Sequence, residues 1–262
     1  MLQSKRKDDI MQMVLLTALG VGGATVIGAL LGFVFKKMSH KFSDIVLSFA
    51  AGVMLSAAVI GLIIPSLEYG GKFKLLTTVA GVFCGALCIN LIDKLVPHLH
   101  RLTGVDTESH PGKQEQLNKI LLFVIAIAIH NLPEGIAAGV GFGTGNVNDA
   151  LMIAAGIALQ NIPEGMVIIA PMLAAGMSHG RTFVAAALTG VIEVIGTLLG
   201  FFAVSISNAV LPFALAFAGG TMIYVISDEM IPETHSHGNE SGATFSLLAG
   251  FCLMLAFDVL LG

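Results

Sequence analysis

Apolar residues fall along this chain in eight long runs separated by short polar breaks: 11–35, 44–65, 75–93, 119–144, 149–177, 182–207, 210–230 and 243–261. A helix needs about 20 mostly apolar residues to cross the hydrocarbon core of a bilayer. Lipid tolerates helices and closed barrels, and runs of this length fit helices. The pattern predicts an all-α membrane protein with eight transmembrane helices and both termini on one side. The longest break, the variable polar loop 94–118, holds Lys94, Arg101, Asp106, Glu108, Lys113 and Glu115. A shorter polar stretch, Pro232 to Gly242, separates the last two runs. Neither has room for a soluble domain, so residues 1–262 read as a single transmembrane domain.

Composition agrees. Of 262 residues, 55% are hydrophobic and 11% charged, against roughly 25% charged in soluble domains. The net charge of -4 suggests no nucleic-acid partner. Glycine is abundant, and Gly28-xxx-Gly32, Gly81-xxx-Gly85, Gly135-xxx-Gly139 and Gly196-xxx-Gly200 have the spacing that lets membrane helices pack closely. The polar start, Met1 to Asp9, leads into an apolar run without a cleavage site, so no cleaved signal peptide is expected. Cys84, Cys88 and Cys252 cannot build a disulfide framework and read as small apolar core residues. With the termini outside, the inner loops carry Lys36, Lys37, Lys41, Lys94, Arg101, Lys113, Lys119 and Arg181, and the outer side Lys5, Arg6, Lys7, Lys72 and Lys74. The basic excess favours that orientation, although Lys5-Arg6-Lys7 pulls the other way.

Against this apolar background one motif appears twice. His130-Asn131-Leu132-Pro133-Glu134-Gly135 in the fourth run recurs in the fifth as Gln160-Asn161-Ile162-Pro163-Glu164-Gly165. An ionisable side chain at the centre of a bilayer costs about 2.5–3.5 kcal/mol or more and marks a functional site by default. Positions i and i+4 share a helix face, so His130 and Glu134 point the same way. Pro133 has no N–H to offer the Ile129 carbonyl, which leaves a kink and a free oxygen beside them. Gln160, Pro163 and Glu164 repeat the arrangement, and Glu193 is a lone carboxylate in the sixth run. One nitrogen and several oxygens suit a borderline divalent ion such as Zn²⁺; the amides of Asn131, Gln160 and Asn161 add harder oxygen donors.

The paired motifs and Glu193 resemble the ZIP (Zrt-/Irt-like protein) metal transporters, in particular their bacterial GufA-like branch. The resemblance implies a transporter, not an enzyme, that moves a divalent metal into the cytosol: zinc first, with cadmium, manganese or iron as alternatives. It implies a binuclear site, with one ion on His130, Glu134 and Glu164. The second would lie on Asn131, Asn161, Glu164 and Glu193, with Gln160 close by and Glu164 bridging. It further implies a seventh-span carboxylate beside the site, Glu229 ahead of Asp228. Met54 stands on the path or in the packing. Inverted repeats would relate spans 1–3 to 6–8 around spans 4–5, with Ile64-Pro65 and Ile231-Pro232-Glu233 as a faint echo of that relation.

The family resemblance also carries a homodimer in the inner membrane, an elevator-like motion of one helix bundle against another, and no cofactor beyond the transported ion. Histidines in the loops, here His98, His100, His110, His235 and His237, would collect or sense metal, or else be ordinary surface residues. Many relatives have histidines in span five where this chain has Gln160 and Asn161, which removes nitrogen donors. Two rivals stand beside this reading. A proton-coupled transporter of a small organic solute would use Glu134, Glu164 and Glu193 as relays, but no intramembrane Arg or Lys offers a counter-charge. An intramembrane metallohydrolase would need a His-Glu-x-x-His segment, which is lacking. Asn239-Glu240-Ser241 matches a glycosylation pattern but reads as a polar turn beside Gly238.

Overall fold

The computed structural model describes residues 2–35, 39–95, 128–174, 176–207 and 209–261. The described chain is helical, in eight pieces: α1 (Leu2–Val34), α2 (His40–Tyr69), α3 (Lys74–Leu95), α4 (128–141), α5 (Val147–Ala174), α6 (His179–Ile206), α7 (Leu211–Thr234) and α8 (Glu240–Leu261). Seven of these are long and apolar enough to cross a membrane; α4 is the shorter one, described from residue 128. Loop 94–118 is helical at its start, through Leu95, and His98, His100 and His110 lie outside the described residues. The polar N-terminus expected to precede the first span is already helical from Leu2.

Helix ends follow local chemistry. Ser39 Oγ accepts from the Phe42 amide at 3.2 Å and starts α2. Asn146 Oδ1 accepts from the Asn148 amide at 3.0 Å and starts α5. Such caps satisfy backbone donors that a helix leaves over. Gly145, at φ 78°, makes the reversal between α4 and α5.

In lipid no water drives helices together, so they associate by close packing of small residues. All four Gly-xxx-Gly pairs lie in such contacts. A Cβ at Gly28 would fall 2.2 Å from the Ile162 carbonyl oxygen, and one at Gly165 2.3 Å from that of Thr25, which locks α1 to α5. Gly135 and Gly139 meet the Glu193 and Thr197 carbonyls, and Gly196 and Gly200 answer from α6, which locks α4 to α6. Gly22 and Gly190 each abut the other's carbonyl where α1 crosses α6. Gly52 and Gly250 interlock α2 with α8; Gly85 and Gly220 interlock α3 with α7.

With Gly219 of α7 set against the Ala58 carbonyl of α2, these backbone-level contacts fall into two sets, α1-α4-α5-α6 and α2-α3-α7-α8. Where glycines meet the other set, they meet side chains: Gly61 faces Ile153, and Gly156 faces Met254. Around that seam Met54, Ala57, Ala58, Leu62, Ile153 and Ile157 form part of the principal apolar core. α2 and α7 each contain a π-helical segment, Ala57–Ile63 and Ile226–Met230, followed by Pro65 and Pro232.

Large apolar side chains such as Leu16, Leu19, Leu76 and Phe83 face outward, as lipid-facing positions should. The cysteines correct the sequence reading. Cys84 and Cys252 are exposed and Cys88 is half-buried, because α3 packs on α7 through the face carrying Gly81, Gly85 and Ile89.

Candidate functional site

The repeated motif places its polar groups on the facing sides of α4 and α5, and α6 adds Glu193. Asn131, Glu134, Gln160, Asn161 and Glu193 are all buried, with exposures of 3% or less. Glu164 is half-buried and lies within electrostatic reach of His130, Glu134 and Glu193. His130 Nε2 stands 2.8 Å from Glu229 Oε1, and these two side chains are 18% and 26% exposed. The centre therefore opens toward the α7 side and closes at Glu134 and Glu193. Of the two candidate carboxylates on α7, Glu229 is the one beside the site; Asp228 is exposed. Met54, 1% exposed, lies in the apolar core at the seam.

Glu193 is held from three helices. Thr25 Oγ1 on α1 donates to Oε1 at 2.6 Å, and Asn131 Nδ2 on α4 donates to the same oxygen. Asn161 Nδ2 on α5 donates to Oε2 at 2.7 Å and also to the Val21 carbonyl at 3.3 Å. By contrast, Glu134 Oε2, Asn161 Oδ1 and both amide atoms of Gln160 are buried without a hydrogen-bond partner. Gln160 lies beside Glu134, with its amide acting on that carboxylate. Each buried polar atom left unpaired costs about 1–3 kcal/mol. Three of these four atoms are oxygen acceptors and the fourth, Gln160 Nε2, is a donor. Among the described residues no three His, Cys, Asp or Glu side chains converge as a ready-made metal cage, because His130 faces Glu229 while Glu193 faces amides and a hydroxyl.

Thr25 is the residue that the motif search missed. A threonine in an apolar run looks like packing, but a signal was present. Val26-Ile27-Gly28-Ala29-Leu30-Leu31-Gly32 recurs as Val194-Ile195-Gly196-Thr197-Leu198-Leu199-Gly200, with Gly22 and Gly190 in matching positions ahead. In that alignment Thr25 stands where Glu193 stands. The same spacing of 168 residues, which separates Thr25 from Glu193, relates Phe49-Ala50-Ala51-Gly52-Val53-Met54 to Phe217-Ala218-Gly219-Gly220-Thr221-Met222.

The loop histidines after α7 are not free-standing. His237 Nδ1 lies 3.0 Å from Oδ1 of Asp44, which is 3% exposed, and its ring stacks on His40 at 4.7 Å. Asn239 Nδ2 donates to Asp44 Oδ2 at 3.3 Å. His235 contacts the Ile231 carbonyl and Thr244 Oγ1. Asn239 stands between Gly238, at φ 79°, and the start of α8.

Fold and site together define a multi-pass helical membrane protein with a buried, oxygen-rich centre built on a duplicated proline motif. Comparison with known proteins agrees: residues 100–258 match the family model described as ZIP Zinc transporter. The chain belongs to this family. It is 41% identical over 254 residues to the zinc transporter GufA of Myxococcus xanthus, covering 95% of this chain and 98% of that one. It is 37% identical to the zinc transporter ZIPB of Bordetella bronchiseptica, covering 91% and 78%. It is 32% identical to the human zinc transporter ZIP11, covering 92% and 94%.

Proposed function

We propose that this protein carries a divalent metal ion, zinc foremost and cadmium as a surrogate, across the inner membrane into the cytosol. The observation that carries the reading is the set of unpaired buried oxygens on Glu134, Gln160 and Asn161, next to Glu164 and His130. His130, Glu134, Gln160 and Glu164 form the ion position, and Glu229 receives or delivers the ion at the open side. Relatives named as zinc transporters over nearly the whole chain support the choice of ion. A cell-negative potential favours inward movement by about 2.3 kcal/mol per charge per 100 mV.

The same proposal includes eight spans, with α4 as the fourth, and inverted repeats relating α1–α3 to α6–α8. The recurring 168-residue spacing and the matched glycine contacts support the repeats. It also includes a homodimer and relative motion of the two helix sets. The seam supports that motion, since side chains slide past one another more readily than interlocked backbones.

Uptake of Zn²⁺ and Cd²⁺ into proteoliposomes tests the reading. Saturable uptake is expected from the wild type and its loss in His130→Ala and Glu164→Ala. Uptake untouched by both substitutions would overturn the site, and its absence for every divalent ion tried would overturn the function.

A further inference from the structure

We propose that the Glu193 end of the centre is closed by protein donors, so that the chain binds one metal ion where its resemblance implies two. This rests on the metal-transport reading and deepens it.

The argument starts from what each atom can offer. A metal takes lone pairs; an N–H or O–H turned toward a carboxylate offers none. Thr25 Oγ1, Asn131 Nδ2 and Asn161 Nδ2 all donate to the two oxygens of Glu193, which are thereby supplied with hydrogen-bond partners while 0% exposed. The orientation of Asn161 is fixed by more than Glu193. Its Nδ2 is shared with the Val21 carbonyl, so turning the amide over would set Oδ1 against two acceptors at once. A carbonyl oxygen of Asn161 cannot then serve an ion on the Glu193 side.

The backbone at Glu193 is fixed from two sides. Its own carbonyl accepts from Thr197 Oγ1 at 2.9 Å and lies 2.3 Å from where a side chain at Gly135 would begin. The contrast with the other end is chemical: the unpaired atoms belong to Glu134, to Gln160 and to the outward oxygen of Asn161. One end of the centre lacks partners, while at the other both carboxylate oxygens of Glu193 have them. Thr25 makes the asymmetry legible, since at matching positions of α1 and α6 one helix supplies a carboxylate and the other the hydroxyl that holds it. Thr25 is thus a positioning residue that helps to keep the Glu193 end closed.

The test counts ions. Full-length protein in detergent is dialysed against saturating Cd²⁺ and bound metal is measured per chain. We expect one ion in the wild type and two in Asn161→Asp, which exchanges a donor amide for an acceptor carboxylate facing Glu193. Glu193→Gln should keep one ion and Glu134→Gln should keep none. Thr25→Val should admit a second, weaker ion, with Thr25→Ser restoring the count of one; this rescue separates positioning from folding. Two ions in the wild type, one of them lost in Glu193→Gln, would overturn the inference while leaving metal transport standing. One ion in both wild type and Asn161→Asp would overturn the role given to Asn161. No bound ion in any chain would overturn the transport reading and this inference with it.

Discussion

Gly28 tests whether the glycine interlocks hold the site in place. An alanine Cβ there would sit 2.2 Å from the Ile162 carbonyl oxygen, whereas ordinary contact begins at 3.4 Å, so α1 and α5 must part by about 1 Å. The obstacle is backbone and cannot rotate aside. Forcing an extra methyl into packed structure costs about 1–3 kcal/mol. At about 2–4 °C per kcal/mol for a chain of this size, Gly28→Ala should lower the unfolding temperature in detergent by about 2–12 °C. Gly20→Ala is the control on the same helix: nothing lies within 4 Å of its Cβ, and alanine improves helix propensity by about 1 kcal/mol over glycine. Gly20→Ala should therefore unfold no earlier than wild type. Ile162 directly precedes Pro163 and Glu164, so zinc uptake should also fall by about tenfold or more in Gly28→Ala, since displacements near 1 Å disable oriented groups. Equal unfolding temperatures and equal uptake for the two variants would refute the reasoning.

Two further substitutions probe the turn after α7. Asp44→Ala removes the acceptor for His237 and Asn239, a loss of about 1.5–3 kcal/mol for bonds to a charged group. Faster hydrogen exchange is expected at the Ala243 amide, which bonds to the Asn239 carbonyl; unchanged exchange would show that Asp44 does not hold the turn. Gly238→Ala places a side chain at φ 79° in open space, so its cost is backbone strain of about 1–2 kcal/mol. Unfolding should come earlier than in Gly242→Ala, which is equally open and has no positive φ, and coincidence of the two would argue against strain.

Much of this was legible in the order of residues. Hydropathy marked the helices because lipid demands long apolar runs, and the doubled motif marked the centre because carboxylates are costly there. What escaped was direction. Nothing in the run around Cys84 and Cys88 says which face of α3 meets α7 and which meets lipid. Neighbours on a helix diverge by about 100°, so only the resemblance ranked Glu229 ahead of Asp228, and the facing of α7 and α4 supplies the physical reason. Thr25 was hidden for a different reason: its chemistry depends on Glu193, far along the chain, and on its own it is one more small residue in an apolar helix. The binuclear expectation came with the family resemblance; the direction in which Asn161 points its N–H depends on the Val21 carbonyl, which no residue type reveals.

The π-helical turn at Ile226–Met230 gives the buried centre a dependence on helix phase. A wide turn holds more residues than a regular one, so side chains beyond it point elsewhere than an unbroken α-helix would send them. Glu229 looks at His130 from inside this turn while Ser227 and Asp228, its neighbours, look away. Gaining or losing a single residue there would leave every polar side chain of the centre in the chain and still turn a different one toward His130. In α7 the site is written in register as well as in residue identity.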